Sequence, residues 1–329
     1  MIIRNVQMGL AVALLLISTG YNWIYHSDPR KIPVSKAELG EVLFFDPILS
    51  GDSTVSCASC HRKEFAFADE RELSFGIKGN LTGRNTPSVM YMKGRQHYFW
   101  DGRAETLEHQ ASGPISNALE MGASMLEVVE KLNGSDYYLE AFQSVYSAIP
   151  DSSKIVNALS EFQRTLSPYT SPYDRFLAGD YMAMSDAAIR GLDLYTRRSN
   201  CGLCHGEGDF TTDIFTNIGL YNGKEYDDAG RFLITGDSMD LGLFKTPTLR
   251  NLSATAPYMH DGSMKTLMEV LIYYNTPDSI IHNSINRDDR VRIPKRVKEE
   301  SDIFTMDELR DLEAFLLALN DSIYLEETR

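Results

Sequence analysis

All four cysteines of this 329-residue chain lie in two short segments of the form C-x-x-C-H, at residues 57–61 and 201–205. Two thiols three positions apart can reach the two vinyl groups of one porphyrin, and the adjacent histidine can bind its iron. This spacing is the signature of haem attachment in c-type cytochromes. The sequence therefore predicts two haem c groups, attached through Cys57, Cys60, Cys201 and Cys204, with His61 and His205 as iron ligands.

Other uses of paired cysteines fit this pattern less well. Zinc ribbons place their C-x-x-C units about 15–20 residues apart, whereas Cys60 and Cys201 are much farther apart. A redox dithiol or a structural disulfide does not explain why a histidine follows both pairs. Haem attachment accounts for the cysteines and the histidines together.

The N-terminal residues 1–27 are typical of a segment that directs export. Arg4 precedes an apolar run over residues 8–17, and small residues follow the run. This order matches a signal peptide, but extension to Ile24 brings the run close to the ~20 residues of a membrane-spanning helix. A cleaved signal peptide and a retained anchor both fit. Either one predicts a periplasmic protein, soluble or tethered to the inner membrane.

Composition limits the classes of partner. The net charge of −14 and the isoelectric point near 5.0 argue against nucleic acid, because phosphate binding needs concentrated Lys and Arg. An acidic surface fits a basic protein better, for example a positively charged electron donor. The length is sufficient for two ordinary domains.

Helix signals recur along the chain, whereas no alternation typical of strands is evident. Capping residues predict helix starts at several points, and apolar residues at helical spacing predict two buried faces. The caps are Ser35 with Glu38, Ser124 with Glu127, Ser185, and Thr305 with Glu308; the faces are Ile155, Leu159, Phe162 and Leu166, and Leu309, Leu312, Leu316 and Leu319.

Residues 86–107 and 246–267 share a pattern with identical internal spacing: Thr-Pro, then Asp-Gly, then Thr-Leu. Each block lies downstream of its own C-x-x-C-H motif, which indicates two copies of one haem-binding unit. We therefore predict an all-α fold with two cytochrome c-like haem domains, residues 28–180 and 181–329, that follow the N-terminal signal or anchor helix.

Several further segments resemble the bacterial dihaem cytochrome c peroxidase family, which includes MauG. They extend over nearly everything between the N-terminal segment and the C-terminus. The resemblance implies that the N-terminal haem is the peroxide site and that the C-terminal haem receives or stores electrons. The segments are LFFDP at 43–47, LSGD at 49–52, RNTP at 84–87, FWDGR at 99–103, EMG at 120–122, FKTPTLRN at 244–251 and APYMHDG at 256–262.

The resemblance also implies roles for single residues. Trp100 would pass electrons between the haems, and Gln110 and Glu120 would form a polar pair on the distal side of the peroxide haem. A carboxylate such as Glu120 can act as base and then as acid if its pKa lies near the working pH. The ligands of a calcium ion between the domains would be Asn85, Thr255 and Pro257, which offer the oxygen atoms that calcium prefers.

One departure from the family concerns the first haem. In many dihaem peroxidases a distal histidine, in the loop after the first motif, blocks the iron of the fully oxidised enzyme. Ile77 occupies the matching position here, and isoleucine cannot bind iron. His97 and His109 are close enough in sequence to substitute, although His109 is expected at the surface. We predict a first haem that is open without prior reduction.

A second departure concerns the other haem. Better-known peroxidases have a methionine ligand fourteen residues after the position of His260, where this chain has Tyr274, as MauG does. An anionic oxygen donor favours oxidised iron, whereas methionine raises the potential. Met259 and Met264 are rival ligands. Tyr274 could also be a core residue, in which case it would resemble its neighbour Tyr273.

These features lead to one main hypothesis and two alternatives. The main hypothesis is a dihaem peroxidase that reduces hydrogen peroxide with electrons from a donor such as cytochrome c or a cupredoxin. The first alternative is a MauG-like oxidase of a partner protein, which the two departures favour. The second is a dihaem electron carrier, which has no use for an acid–base residue such as Glu120. Relatives often form dimers, so a homodimer is an open prediction.

Overall fold

A computed structural model describes residues 31–223, 226–276 and 304–324. In these ranges the chain is mostly helical, and one pair of two-residue antiparallel strands joins Phe215–Thr216 (β1) to Phe244–Lys245 (β2). The α-helices are α1 Lys36–Phe45, α2 Leu107–Ser116, α3 Met125–Asn133, α4 Asp136–Tyr146, α5 Ser152–Thr165, α6 Pro172–Leu177, α7 Asp186–Asp193, α8 Cys201–His205, α9 Phe232–Thr235, α10 Leu267–Asn275 and α11 Met306–Leu317.

The mostly helical prediction is confirmed, while the small strand pair was not foreseen. Two residues per strand are too few to produce a visible alternation in sequence. The predicted signal or anchor segment, residues 1–27, lies outside the described residues. Among the described helices, none is long and apolar enough to cross a membrane.

The predicted caps begin the helices where expected. Ser124 and Thr305 each accept a hydrogen bond from the residue three positions on, and Glu127 and Glu308 complete reciprocal capping boxes. At α1 the Ser35 hydroxyl accepts from the Glu38 N–H at 3.2 Å. The Glu38 carboxylate, however, accepts from Val34 rather than from Ser35. The first bond of the predicted capping box is therefore present, whereas the second comes from the residue before Ser35.

Two helix pairs form the frame of the molecule: α1 crosses α5, and α7 crosses α11. A glycine lies at each crossing. A Cβ atom on Gly40 would lie 1.9 Å from the carbonyl oxygen of Ala158, and one on Gly191 would lie 1.9 Å from that of Asp311. The backbones therefore approach too closely for any side chain at these two positions.

Gly40→Ala is expected to destabilise the protein. The added methyl group overlaps the backbone of α5, and such overpacking typically costs about 1–3 kcal/mol of unfolding free energy. Chemical denaturation of the holoprotein measures the loss. The control is Gly134→Ala, because the nearest atoms to a Cβ there are 3.4 Å away. Equal stabilities of the two variants would contradict the close crossing.

Each helix pair has its own apolar core. The first surrounds α1 and α5 and includes Phe44, Phe67 and Phe162; the second surrounds α7 and α11 and includes Phe210 and Phe315. The predicted faces of α5 and α11 are buried in these cores. The end of the chain then crosses back, since Tyr324 is buried in the first core and its hydroxyl donates to the Lys63 carbonyl at 3.0 Å.

The loops before α2 and α10 have matching shapes. An isolated antiparallel bridge closes each loop, Tyr98 with Ala104 and Tyr258 with Met264. Gly102 and Gly262 both have φ of 70°, a conformation that glycine adopts without a steric penalty. These two loops carry Trp100 and His260.

Charged side chains join the two halves of the molecule, that is, the half that contains the first C-x-x-C-H motif and the half that contains the second. The Arg84 guanidinium binds Asp228 through Nε at 2.6 Å and Nη2 at 2.9 Å, and it also binds Asp101 at 2.6 Å. Arg95 forms an ion pair with Asp209. These groups are largely buried, so loss of one partner would leave an uncompensated buried charge.

Candidate haem sites around a shared cavity

One cavity of about 860 Å³ extends between the two halves, and residues of both C-x-x-C-H motifs line it. Cys60 and His61 lie on its wall from the first motif, and Cys201, Cys204 and His205 lie on it from the second. Cys57 packs against the first core. No cysteine forms a disulfide.

The loop after the first motif orients His61. Arg62 and Ala68 pair through their backbones, and the turn between them brings the Phe67 carbonyl 3.0 Å from His61 Nδ1. A carbonyl can only accept, so Nδ1 carries the proton and Nε2 is left to bind a metal. Burial lowers the pKa of His61, which keeps the ring neutral, as a metal ligand must be.

His205 is held in the same way. Its Nδ1 lies 3.1 Å from the Pro247 carbonyl and 3.3 Å from the Phe210 carbonyl. Burial lowers the pKa of His205 to about 4. Both histidines are therefore neutral near pH 7, with Nε2 available as a ligand.

The two cysteines of the first motif are not suited to thiolate chemistry. Burial raises the pKa of Cys57 to about 12 and that of Cys60 to about 11. Redox dithiols need the opposite shift, since their reactive form is the thiolate. The raised values favour thiols that serve as covalent attachment points over a redox dithiol.

Gln110 and Glu120 both line the cavity. Helix α2, capped by Thr106, carries Gln110, whose Oε1 is buried with no hydrogen-bond partner among the described residues. Glu120 follows the end of α2, and its Oε1 accepts from Asn117 Nδ2 at 2.6 Å. His109 is exposed on the outer side of the helix.

Burial raises the pKa of Glu120, although the charge of Arg103 and the bond from Asn117 oppose the shift. Arg103 itself is fixed by Asp101, at 2.9 Å, and lies over the Phe99 ring. Neither Arg103 nor Asn117 was singled out from the sequence. Asn117 lies three residues before Glu120, a spacing that could have indicated the pair.

The backbone of Ile77 lies beside that of Glu120, but the Ile77 side chain is buried in the protein interior. Its N–H donates to the Glu120 carbonyl at 2.7 Å. Its side chain is 5% exposed and fills the space beside Gly51 and Gly122. His97, by contrast, lines the cavity, and its buried Nδ1 has no hydrogen-bond partner in the part of the chain that the structure describes. Of the two rival histidines, only His97 therefore reaches the cavity.

Trp100 joins the two halves at the cavity wall. Its indole Nε1–H donates to the Asn85 carbonyl at 2.9 Å, and its own carbonyl accepts from the Lys245 N–H on β2 at 2.7 Å. The indole is thus fixed by the segment after the first motif, and the Trp100 backbone is bonded to the segment after the second.

The adjacent tyrosines of α10 have different surroundings. Tyr274 lines the cavity, and its pKa is raised by burial and then by the neighbouring Tyr273, Cys204 and Cys201. The Tyr273 hydroxyl instead donates to the Ile218 carbonyl at 2.9 Å, within a small apolar cluster. Both rival methionines, Met259 and Met264, pack against that cluster, and Met259 also lines the cavity.

The three residues expected to bind calcium all line the cavity. Asn85 donates through Nδ2 to the carbonyls of Arg71 and Glu72, at 3.1 and 3.2 Å. This leaves its Oδ1 without a donor among the described residues. Thr255 and Pro257 flank Ala256 on the opposite half.

The cavity fits a large group that has an apolar body and polar edges. Several buried polar atoms on its wall lack partners within the described part of the chain: His97 Nδ1, Gln110 Oε1, Gln163 Oε1 and Thr216 Oγ1. Unpartnered buried groups are rare in folded proteins because they cost free energy. A porphyrin with its carboxylates, together with bound water, would provide such partners.

Two C-x-x-C-H motifs with neutral, oriented histidines on one cavity define a dihaem c-type cytochrome. Comparison with known proteins identifies its class more closely. The profile of the di-haem cytochrome c peroxidase family matches residues 34–182. The chain is 37% identical to the methylamine utilization protein MauG of Methylophilus methylotrophus over 262 residues, which are 78% of this chain and 77% of that protein.

A cytochrome c551 peroxidase of Nitrosomonas europaea is 37% identical over 239 residues, 71% of each chain. Among solved structures, a MauG-like protein associated with microbial copper homeostasis matches with a TM-score of 0.75 and 34% identity, over 92% of this chain and 96% of that one. The diheme peroxidase BthA of Burkholderia thailandensis, 24% identical, shares the fold with a TM-score of 0.72, over 92% of this chain and 88% of its own. The chain belongs to the dihaem cytochrome c peroxidase family, and two haem c groups are its cofactors.

Proposed function

We propose that this protein reduces hydrogen peroxide to water at the haem held by His61, with electrons that arrive through the haem held by His205. The observation that carries the proposal is that Gln110 and Glu120 both line the cavity that holds the first motif. Gln110 has a buried amide oxygen with no partner within the described ranges, and Glu120 is a desolvated carboxyl fixed by Asn117. An electron carrier has no use for this arrangement.

The haem would supply an iron to which peroxide binds. The Gln110 amide orients the bound peroxide by hydrogen bonding. The free oxygen of Glu120, Oε2, takes the peroxide proton and returns it to the departing oxygen, while Oε1 stays bonded to Asn117. With two electrons and two protons from outside, each peroxide yields two water molecules.

Electrons would reach this site from the second haem through Trp100, which is hydrogen-bonded to both halves. Tyr274 would be the second ligand of that haem, supported by its place on the cavity wall. Asn85 Oδ1 and the carbonyls of Thr255 and Pro257 would bind one calcium ion beside Trp100. Removal of calcium would then loosen the contact between the halves.

The domain division is also part of the proposal. Residues 28–180 and 181–329 would be two copies of one unit, which follow an export segment at residues 1–27. Matching support comes from the glycine at each helix crossing, Gly40 and Gly191, and from the paired loops before α2 and α10. Covalent haem attachment after export would place the protein in the periplasm. A homodimer is a further part of the proposal.

A MauG-like oxidation of a partner protein is the second candidate. Ile77 is buried in the protein interior and cannot bind iron, and Tyr274 stands on the cavity wall in place of the expected methionine. Both features favour a protein that reacts with peroxide while fully oxidised. Either reaction would use Glu120 and Gln110 in the same roles.

The proposal is tested by mixing the holoprotein with peroxide and reduced cytochrome c. A peroxidase oxidises two cytochrome c molecules for each peroxide consumed. Peroxide consumption that is fast but independent of the donor would favour the MauG-like reaction. If the protein consumed no peroxide either with or without reduced cytochrome c, the electron carrier would be the remaining hypothesis.

The peroxide reaction should depend on pH through Glu120. The carboxyl must be ionised to accept a proton, so the rate should rise with pH through a pKa above the usual carboxyl range. Since Arg103 lowers this pKa, Arg103→Gln should move the rise to higher pH. The pH profile of the second-order rate constant measures the shift. An unchanged pH profile in Arg103→Gln would show that the charge of Arg103 does not affect the pKa of Glu120.

A further inference from the structure

Two tyrosine rings form a path from the interior to the surface. Tyr91 is 1% exposed and lies in the first core, whereas Tyr169 is 47% exposed. Their ring centroids are 5.1 Å apart, with the planes at 64°. The contact is close enough for direct electron exchange between the rings.

Each phenol hydroxyl donates a hydrogen bond to a carboxylate. The Tyr91 hydroxyl donates to Asp321, which is fully buried, and the Tyr169 hydroxyl donates to Asp209 at 2.8 Å. A neutral phenol must lose its proton when it loses an electron, and a bonded carboxylate can accept that proton. Burial and the bonded carboxylate raise the pKa of Tyr169 to about 12, so the proton stays on the phenol until the electron leaves.

The acceptor for Tyr91 is firmly placed. Asp321 accepts from the Thr170 N–H at 2.8 Å and from Asn251 Nδ2 at 2.9 Å. Thr170 follows Tyr169 in sequence, so the same short segment holds the surface tyrosine and the acceptor of the buried one. The pair is therefore a built unit and not a chance contact.

The pair also lies next to the segments that orient the two haem-binding histidines. Val89, two residues before Tyr91, donates its N–H to the Phe67 carbonyl, which is also the partner of His61 Nδ1. Asp209 precedes Phe210, whose carbonyl lies 3.3 Å from His205 Nδ1. Both ends of the tyrosine pair are thus connected to the histidine side of a haem site.

Two cations nearby oppose electron loss, and each is paired with a carboxylate: Arg95 with Asp209, and Arg250 with Asp174. The Arg250 guanidinium lies 5.1 Å from the Tyr91 ring centroid and 4.9 Å from that of Tyr169. It forms two hydrogen bonds to Asp174, both 2.9 Å long, and lies 3.8 Å from Asp209. The paired carboxylate therefore cancels most of its effect on the rings.

We propose that Tyr91 and Tyr169 form a one-electron route by which small phenolic reductants at the protein surface supply electrons for peroxide reduction. This inference rests on the proposed peroxidase function. Tyr169 passes an electron inward through Tyr91 and its phenolic proton moves to Asp209. A phenol at the surface then returns the electron, Asp209 returns the proton, and the phenol releases its own proton to water. Two such passages supply the two electrons and two protons that each peroxide requires.

The direct test treats the holoprotein with peroxide and a nitroso spin trap, without an electron donor, and locates the adducts by peptide mass spectrometry. We expect an adduct on Tyr169 and loss of most of it in Tyr91→Phe. The internal control is Tyr181, which is 72% exposed and has no carboxylate partner in the described structure. Equal labelling of Tyr181, or full labelling of Tyr169 in Tyr91→Phe, would overturn the route.

A second measurement follows guaiacol oxidation by Tyr169→Phe, in case Tyr91→Phe does not fold. The rate should fall strongly in this variant but not in Tyr181→Phe, and an unchanged rate in Tyr169→Phe would also overturn the route. Failure of the peroxidase function itself would look different, since wild-type protein would then consume no peroxide with either guaiacol or cytochrome c. If the protein consumed peroxide with cytochrome c but formed no adduct on Tyr169, the tyrosine route would be excluded while the peroxidase function would stand.

Discussion

Glu120→Gln should consume peroxide about 10²–10⁴ times more slowly than the wild-type protein, the usual contribution of a general acid–base residue. Glutamine has the same shape and can still bond to Asn117, but it cannot take the peroxide proton. Stopped-flow measurement of the reaction with the oxidised holoprotein gives the rate. The haem spectra before peroxide is added should match those of the wild type.

Glu105→Gln is the matched control, because Glu105 is exposed and lies just before α2. It makes the same change in net charge without a change on the cavity wall, so its rate should equal that of the wild type. A Glu120→Gln protein as fast as this control would show that another group moves the proton. His97 would then be the first residue to examine, since its unpartnered ring nitrogen faces the same cavity.

Tyr274→Phe should alter the spectrum of the second haem and raise its reduction potential. Loss of an anionic oxygen ligand removes a preference for oxidised iron, and changes of axial ligand span about 0.8 V among haem proteins. Spectroelectrochemical titration of the holoprotein measures the shift. The first haem should keep its potential.

Tyr273→Phe is the control for this change. It removes a hydroxyl that donates to the Ile218 carbonyl and leaves the cavity wall intact. It should cost about 1 kcal/mol of stability and leave both potentials unchanged. If Tyr274→Phe behaved in the same way, Tyr274 would be a core residue and Met259 the remaining rival on the cavity wall.

The raised pKa of Tyr274 bears on this prediction. Burial disfavours the phenolate, and the nearby thiols of Cys204 and Cys201 add to that effect. Thioether formation with haem removes the charge that those thiols could carry, and a bound metal ion favours an anionic ligand strongly. An attached haem bound by Tyr274 would thus reverse the conditions that keep the tyrosine protonated.

Local sequence signals predicted much of this structure. Each C-x-x-C-H motif specifies its chemistry within five residues, and the capping residues Ser124 and Thr305 begin helices by bonds to nearby backbone. The buried faces of α5 and α11 follow from helical spacing. Such features depend on neighbours in sequence, so one chain is sufficient to recognise them.

Features that depend on distant segments were not predictable. The direction of the Ile77 side chain is set by the space beside Gly51 and Gly122. The return of Tyr324 to the first core, and the bond from Tyr91 to Asp321, join residues more than two hundred positions apart. No periodicity or motif records such contacts, because they arise only when the two halves meet.

Hydrogen peroxide added to the fully oxidised holoprotein, with optical and near-infrared spectra recorded over time, shows directly whether the first haem is open. With Ile77 buried in the protein interior, we expect a fast reaction without prior reduction. No reaction until one electron has been supplied would contradict this expectation, because a ligand such as His97 would then block the first haem.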